Sequence, residues 1–151
     1  MGFQSTSQQP TAERRLSVLV VDDDAKFLLS ISRLLSDDVE VTSAASAERA
    51  LELLKGRSFH VVISDFAMPG MNGSELLARI GKLPEYTSCL LMTGSDSYKP
   101  RGGEARHYVL LKPFDPERLL RLVKELGRVA EMKRSVKVMG DAISETRIKS
   151  G

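Results

Sequence analysis

Five short apolar runs alternate with segments of helical period along this chain, and that alternation restricts the fold more than any other feature. Leu16 to Val21, Val39 to Ala44, Phe59 to Ser64, Ser88 to Thr93 and Tyr108 to Leu111 have the length of strands. They are nearly continuous in apolar character instead of alternating, as a parallel sheet covered on both faces requires. The cover must come from the segments between them. Phe27, Leu28, Ile31, Leu34 and Leu35 make one helical stripe, Ala47, Ala50, Leu51 and Leu54 a second, and Leu76, Leu77, Ile80 and Leu83 a third. After the fifth run, Asp115 and Pro116 provide an N-cap and a first-turn proline for a helix through Leu119, Leu122, Val123 and Leu126. The pattern fails between the fourth and fifth runs. Pro100, Gly102 and Gly103 interrupt Ser95 to Arg106 and no apolar stripe emerges, so a fourth helix there is expected to be short or irregular.

The prediction is an α/β fold with a five-stranded parallel sheet, doubly wound in the flavodoxin-like order, with ligands bound at the carboxyl ends of the strands. A length of 151 residues accommodates one such domain and a short appendage. We expect a disordered N-terminal tail over 1–15, a folded domain over 16–130, and a helical extension or mobile tail over 131–151. Leu122, Leu126, Val129, Met132, Val136, Met139 and Ile143 recur at spacings of three and four, which suits a short coiled coil. Gly140 and one irregular spacing favour a frayed basic tail instead. That segment is too short for a DNA-binding output domain with its own core. A net charge of +2 gives no strong field to hold nucleic acid or an anionic membrane. No apolar run approaches the length of a membrane span, and the single cysteine, Cys89, cannot form an internal disulfide. The cytoplasm is the expected compartment.

The strand ends carry the chemistry. The first strand ends in Asp22-Asp23-Asp24, the third in Asp65, the fourth in Thr93 and the fifth in Lys112. Carboxylates gathered in one place repel one another unless a cation sits among them, and hard oxygen ligands favour Mg2+. A lysine and a threonine beside that ion suit the oxygens of a phosphoryl group in transfer. The simplest reaction is attack by one carboxylate on phosphorus, giving an aspartyl phosphate.

With these residues in view, the sequence resembles the receiver domain of two-component response regulators. The resemblance rests on Val20-Val21-Asp22-Asp23, Asp65-Phe66-Ala67-Met68-Pro69-Gly70-Met71-Asn72-Gly73, Met92-Thr93-Gly94 and Lys112-Pro113-Phe114, in family order over residues 16 to 130. It implies that Asp65 is the phosphoacceptor. It further implies that Asp22, Asp23, Asp65 and the backbone carbonyl of Ala67 hold Mg2+, and that Thr93 and Lys112 bind the phosphoryl oxygens. Gly94 fits the family's small residue beside the incoming group, and Pro113 follows Lys112 where a cis peptide is common. A sensor histidine kinase or phosphotransfer protein is the implied donor and a downstream protein the implied target. Direct DNA contact is not expected, and a homodimer is left open.

Two departures from the family fall together. Val109 stands where a switch aromatic is usual, three residues before the lysine, and Tyr108 is one residue out of register. The stretch from Thr93 to Lys112 is also shorter than the family's. Competing readings are a binding-only pseudo-receiver, a phosphatase or phosphotransferase with an aspartyl nucleophile, and a flavin carrier. Ala67 stands where the second reading commonly needs an acid, and three aspartates after the first strand would repel the phosphate of the third. Asp24 reads better as a helix cap than as a ligand. His60 and His107 read as strand-edge packing or exposed residues, with no role assigned.

Overall fold

A computed structural model describes residues 15–94, 98 and 107–149. The strands are β1 (Ser17–Val21), β2 (Glu40–Ala44), β3 (Val61–Asp65), β4 (Ser88–Thr93) and β5 (Tyr108–Leu111). The helices are α1 (Ala25–Leu35), α2 (Ala47–Gly56), α3 (Gly73–Ile80) and α4 (Pro116–Lys149). One sheet runs in the order β2-β1-β3-β4-β5 with every pairing parallel. The expectations for residues 1–14 and for a helix within Ser95 to Arg106 lie outside the described residues, Tyr98 excepted.

Residue alternation along each inner strand divides the core in two. Val18, Val20, Val61, Ile63, Leu90 and Met92 face one side and meet Leu28, Ile31 and Leu35 of α1 and Leu119, Val123 and Leu126 of α4. Leu19, Val21, Val62 and Leu91 face the other side and meet Ala47 and Ala50 of α2 and Leu76, Leu77 and Ile80 of α3. Burial on both faces explains the continuous apolar runs of β1, β3 and β4. The edge strand β2, reading Glu-Val-Thr-Ser-Ala, keeps only Ala44 buried, and β5 keeps only Leu110.

Side-chain caps start each described helix, at Asp24 and Asp115 as the sequence marks and at Ser46 and Asn72 besides. Asp24 Oδ1 accepts from the amides of Lys26 and Phe27 at 3.0 and 3.2 Å, and Ser46 Oγ accepts from Arg49 N at 3.1 Å. Asn72 Oδ1 accepts from Glu75 N at 2.9 Å, and Asp115 Oδ1 from Glu117 N at 3.0 Å. Each cap satisfies amide donors that lack a partner within the helix and contributes about 1 kcal/mol.

Helix α4 differs from the frayed basic tail suggested by its sequence, for it continues without a break through Gly140 to Lys149. One interior glycine costs a helix only about 1 kcal/mol. The basic residues expected to solvate a tail instead anchor the helix. Arg134 donates from Nε to the carbonyl of Tyr86 at 2.8 Å and from Nη2 to that of Phe59 at 2.6 Å. Lys137 Nζ donates to the carbonyl of Pro84 at 3.0 Å, and Lys133 Nζ lies 4.3 Å from the centre of the Tyr86 ring.

Candidate functional site

The sheet register aligns four chain segments at one end. Val21 pairs with Ala44 and Ser64, Asp65 with Met92, and Thr93 with Leu111. The residues at or just past those pairs are Asp22, Asp65, Thr93 and Lys112. Asp22, Asp23 and Asp65 each bring a carboxylate oxygen within 4.8 Å of the others. Lys112 Nζ donates to Asp65 Oδ1 at 3.1 Å and lies 3.9 Å from Asp22 Oδ2. The Lys112 backbone amide donates to the carbonyl of Thr93 at 2.8 Å, which ties the end of β5 to that of β4. The Lys112–Pro113 peptide is cis, as the resemblance implied.

Burial grades the three carboxylates. Asp22 is 2% exposed, Asp65 is half-buried and Asp23 is exposed. Asp22 Oδ1 accepts from the Asp24 amide at 2.9 Å, but its buried Oδ2 has no hydrogen-bond partner among the described residues, and Lys112 is too distant to donate to it. Burial raises the Asp22 pKa above the ordinary carboxylate value, with Asp65 and Asp23 adding repulsion. The Asp24 amide and Lys112 oppose the rise without cancelling it. An unpartnered buried carboxylate oxygen is costly. Paired with two further carboxylates within reach of one ion, it fits a small hard cation such as Mg2+.

Some supporting residues escaped the sequence reading. Phe27, on the first turn of α1, places its ring centre 4.4 Å from Lys112 Nζ, so the ammonium is held between an aromatic face and the carboxylates. Phe114 meets Phe27 edge-on at 6.4 Å. Gly73 has a steric role, because a Cβ there would run into the carbonyl of Asp65 and lie 2.9 Å from Leu91 Cδ1. Its amide donates to the carbonyl of Phe66 at 3.0 Å. The start of α3 is thereby seated on the turn that carries Asp65. A glycine eight residues after the aspartate is the only sequence signal of this close approach.

Ala67 is exposed two residues beyond Asp65, and Thr93 is 2% exposed at the end of β4. The departures from the family pattern have a physical form. Tyr108 is 56% exposed and Val109 39% exposed, so neither side chain is inserted in the core, and Leu110 is the inward residue of β5. A further aromatic beside the site is Tyr98. Its ring centre lies 5.2 Å from that of Phe66, the residue after Asp65, and its hydroxyl is 2.6 Å from His107 Nε2. His107 has its pKa lowered by burial. His60 lies at the opposite end of the sheet, where its Nδ1 accepts from the Ser17 amide at 3.0 Å.

Comparison with known proteins agrees with this geometry. The chain is 37% identical over 119 residues to the transcriptional regulatory protein FixJ of Bradyrhizobium diazoefficiens, covering 76% of this chain and 58% of that protein. It is 35% identical over 125 residues to the two-component response regulator ORR3 of Oryza sativa, covering 78% of this chain and 94% of that one. Against the hydrogenase transcriptional regulatory protein HoxA of Bradyrhizobium diazoefficiens, 29% identical, the chain spans only 28% of the relative's length. The chemotaxis response regulator CheY4 of Vibrio cholerae superposes with a TM-score of 0.66 at 33% identity, over 74% of this chain and 98% of that one. A signal receiver domain of an HD domain-containing protein from Pseudomonas fluorescens Pf-5 superposes with a TM-score of 0.76 at 32% identity, over 83% and 96%. The sequence pattern of the response regulator receiver domain matches residues 18–124, which hold β1 from Val18 onward, β2 to β5, the acidic cluster and Lys112, and the chain belongs to that family.

Proposed function

We propose that the chain is a phosphoacceptor switch. Asp65 takes a phosphoryl group from the phosphohistidine of a sensor kinase or phosphotransfer protein, in a Mg2+-dependent reaction, and the change is passed on by protein contact. One observation carries this reading. The Lys112 ammonium lies 3.1 Å from Asp65 Oδ1 and 3.9 Å from Asp22 Oδ2, beside an acidic cluster whose most buried oxygen has no donor among the described residues. A module that only bound a partner would carry the cost of this arrangement without using it.

In this reading the carboxylates of Asp22, Asp23 and Asp65 and the carbonyl of Ala67 would hold Mg2+. When bound, the ion offsets carboxylate repulsion and draws charge from the phosphoryl oxygens. An oxygen of Asp65 attacks phosphorus, the bond from phosphorus to the donor imidazole breaks, and its electron pair stays on the ring nitrogen. Lys112 exchanges its contact with the free carboxylate for one with a phosphoryl oxygen, keeping its charge compensated. The Thr93 hydroxyl donates to a second phosphoryl oxygen. The chain thus acts only on its own phosphoryl group, and is not an enzyme with a separate substrate. The downstream partner in this reading is a protein, because a net charge of +2 gives this segment no strong field for DNA.

Incubation with acetyl phosphate and Mg2+ should add one phosphoryl group, about 80 Da by intact mass. Asp65→Asn should abolish the gain. Labelling of that variant at the unsubstituted rate would overturn the assignment.

A further inference from the structure

Phe27 carries the largest apolar side chain of α1, yet it is not among the residues that the helix buries in the core. Those are Leu28, Ile31 and Leu35, and Phe27 stands half-buried at their border. What its ring meets there is a charge. The ring centre lies 4.4 Å from Lys112 Nζ, within the range of a cation–π contact. Both ends of Phe27 are held by the two turns that build the site. Its backbone amide donates to Asp24 Oδ1 at 3.2 Å, and the Asp24 amide in turn donates to Asp22 Oδ1 at 2.9 Å. Its ring meets Phe114, two residues beyond Lys112, edge-on at 6.4 Å. The ring is therefore a fixed face between the acidic turn after β1 and the turn after β5.

Lys112 has use for such a face. Its side chain is 30% exposed, and the flexible four-carbon stem of a lysine is among the costliest side chains to order. Among the described residues, the hydrogen-bond partner of its ammonium is Asp65 Oδ1 at 3.1 Å. That anchor is the very group that changes in the proposed reaction, because a carboxylate oxygen bonded to phosphorus gives up the charge that attracted the ammonium. The ring of Phe27 is chemically unaltered throughout. An ammonium resting on it passes from the carboxylate to a phosphoryl oxygen without release to water, and its order is established on folding instead of at the moment of transfer.

We propose that Phe27 is a positioning residue for phosphoryl transfer to Asp65: its ring face holds the Lys112 ammonium at the acidic cluster while the contact with Asp65 is exchanged. This role rests on the phosphoacceptor reading of Asp65. It requires the charge distribution of the ring and not merely its bulk, which separates it from a packing role.

Phenylalanines bearing one, two and three ring fluorines, placed at position 27 alone, test that distinction. Fluorine draws negative charge from the ring face while the shape is nearly kept. Labelling of the full chain by acetyl phosphate with Mg2+ should slow stepwise along the series. Phe27→Leu should slow it by about two- to tenfold, the span of a partly exposed cation–π contact expressed as a rate. A flat fluorine series overturns the proposal even where Phe27→Leu labels slowly, since bulk alone would then be at work, and it leaves the reading of Asp65 intact. The contact itself is read without phosphorylation. In the nuclear magnetic resonance spectrum of the parent, the methylene protons next to the Lys112 ammonium should lie upfield of an ordinary lysine, shifted by the ring current, and should return to the ordinary position in Phe27→Leu. An ordinary position in the parent overturns the proposal whatever the labelling rates. A parent that shows the upfield shift but takes no label overturns the reading of Asp65, and the role of Phe27 falls with it.

Discussion

Asp22 shows how much of this site is decided by single atoms. Its Oδ1 is engaged by the Asp24 amide while its buried Oδ2 has no partner among the described residues, and an unmet buried acceptor is a cost to the fold. An ion that binds only the native state removes the cost and stabilises the fold by mass action. Melting temperature should therefore rise with Mg2+, and Asp23→Ala should lose most of that rise. An undiminished rise in the variant, followed by differential scanning fluorimetry, would refute a site built on the acidic pair. His107 gives a second test of environment. Burial lowers its folded pKa below the ordinary 6.5, so the native state binds fewer protons than the unfolded chain between the folded value and 6.5. This stabilising contribution is present above 6.5 and is lost as pH falls through the window. Between about pH 7.5 and 5.5 the parent should lose more stability than His107→Gln. Equal losses in denaturant titrations would show that the Tyr98 pairing leaves His107 as free to charge as in the unfolded chain.

Elements meet at the site through glycine. At Gly73 an added Cβ faces the Asp65 carbonyl, which cannot move without disturbing the proposed phosphoacceptor, whereas at Gly127 in α4 it faces the end of the flexible Leu16 side chain. Gly73→Ala should cost about 2 kcal/mol or more through overpacking and should slow phosphorylation. Gly127→Ala gains about 1 kcal/mol of helix propensity, which offsets the displaced methyls and leaves stability nearly unchanged. Chemical denaturation of the two variants separates these outcomes. The contrast also shows what sequence can convey. The strands, the caps at Asp24 and Asp115 and the convergence of Asp22, Asp65, Thr93 and Lys112 were legible, because each depends on local pattern and on the parallel register that pattern imposes. The Phe27 ring against Lys112 was not, since its place in an apolar stripe already accounted for it. Nor was the Tyr98–His107 contact, whose partners lie nine residues apart in a stretch without periodicity. The continuity of α4 was hidden because its anchors are carbonyls distant in sequence, at Phe59 and Tyr86.

Over the whole molecule, the parallel sheet separates two jobs by putting them at opposite ends of its strands. The carboxyl ends of β1, β3, β4 and β5 carry the acidic cluster, Thr93 and Lys112. At the amino ends, Phe59 precedes β3 and Tyr86 precedes β4, and Arg134 spans both carbonyls with an ion pair to Glu85 at 3.5 Å. That guanidinium, together with Lys133 and Lys137, fixes the direction in which α4 leaves the domain, beyond the buried contacts of Leu119, Val123, Leu126 and Ala130. Arg134→Ala should remove two charge-assisted hydrogen bonds and cost about 2 kcal/mol of stability. Its far-ultraviolet signal should fall as the distal turns of α4 fray, since an unsupported helix of that length is marginal in water. Phosphorylation at Asp65 should proceed at the parent rate, because no residue of the site touches Arg134. Measuring melting, helicity and acetyl phosphate labelling on the one variant tests the separation. A variant that keeps its helicity but labels slowly would mean that the two ends of the sheet are coupled, and that α4 reports on the site instead of merely leaving the domain beside it.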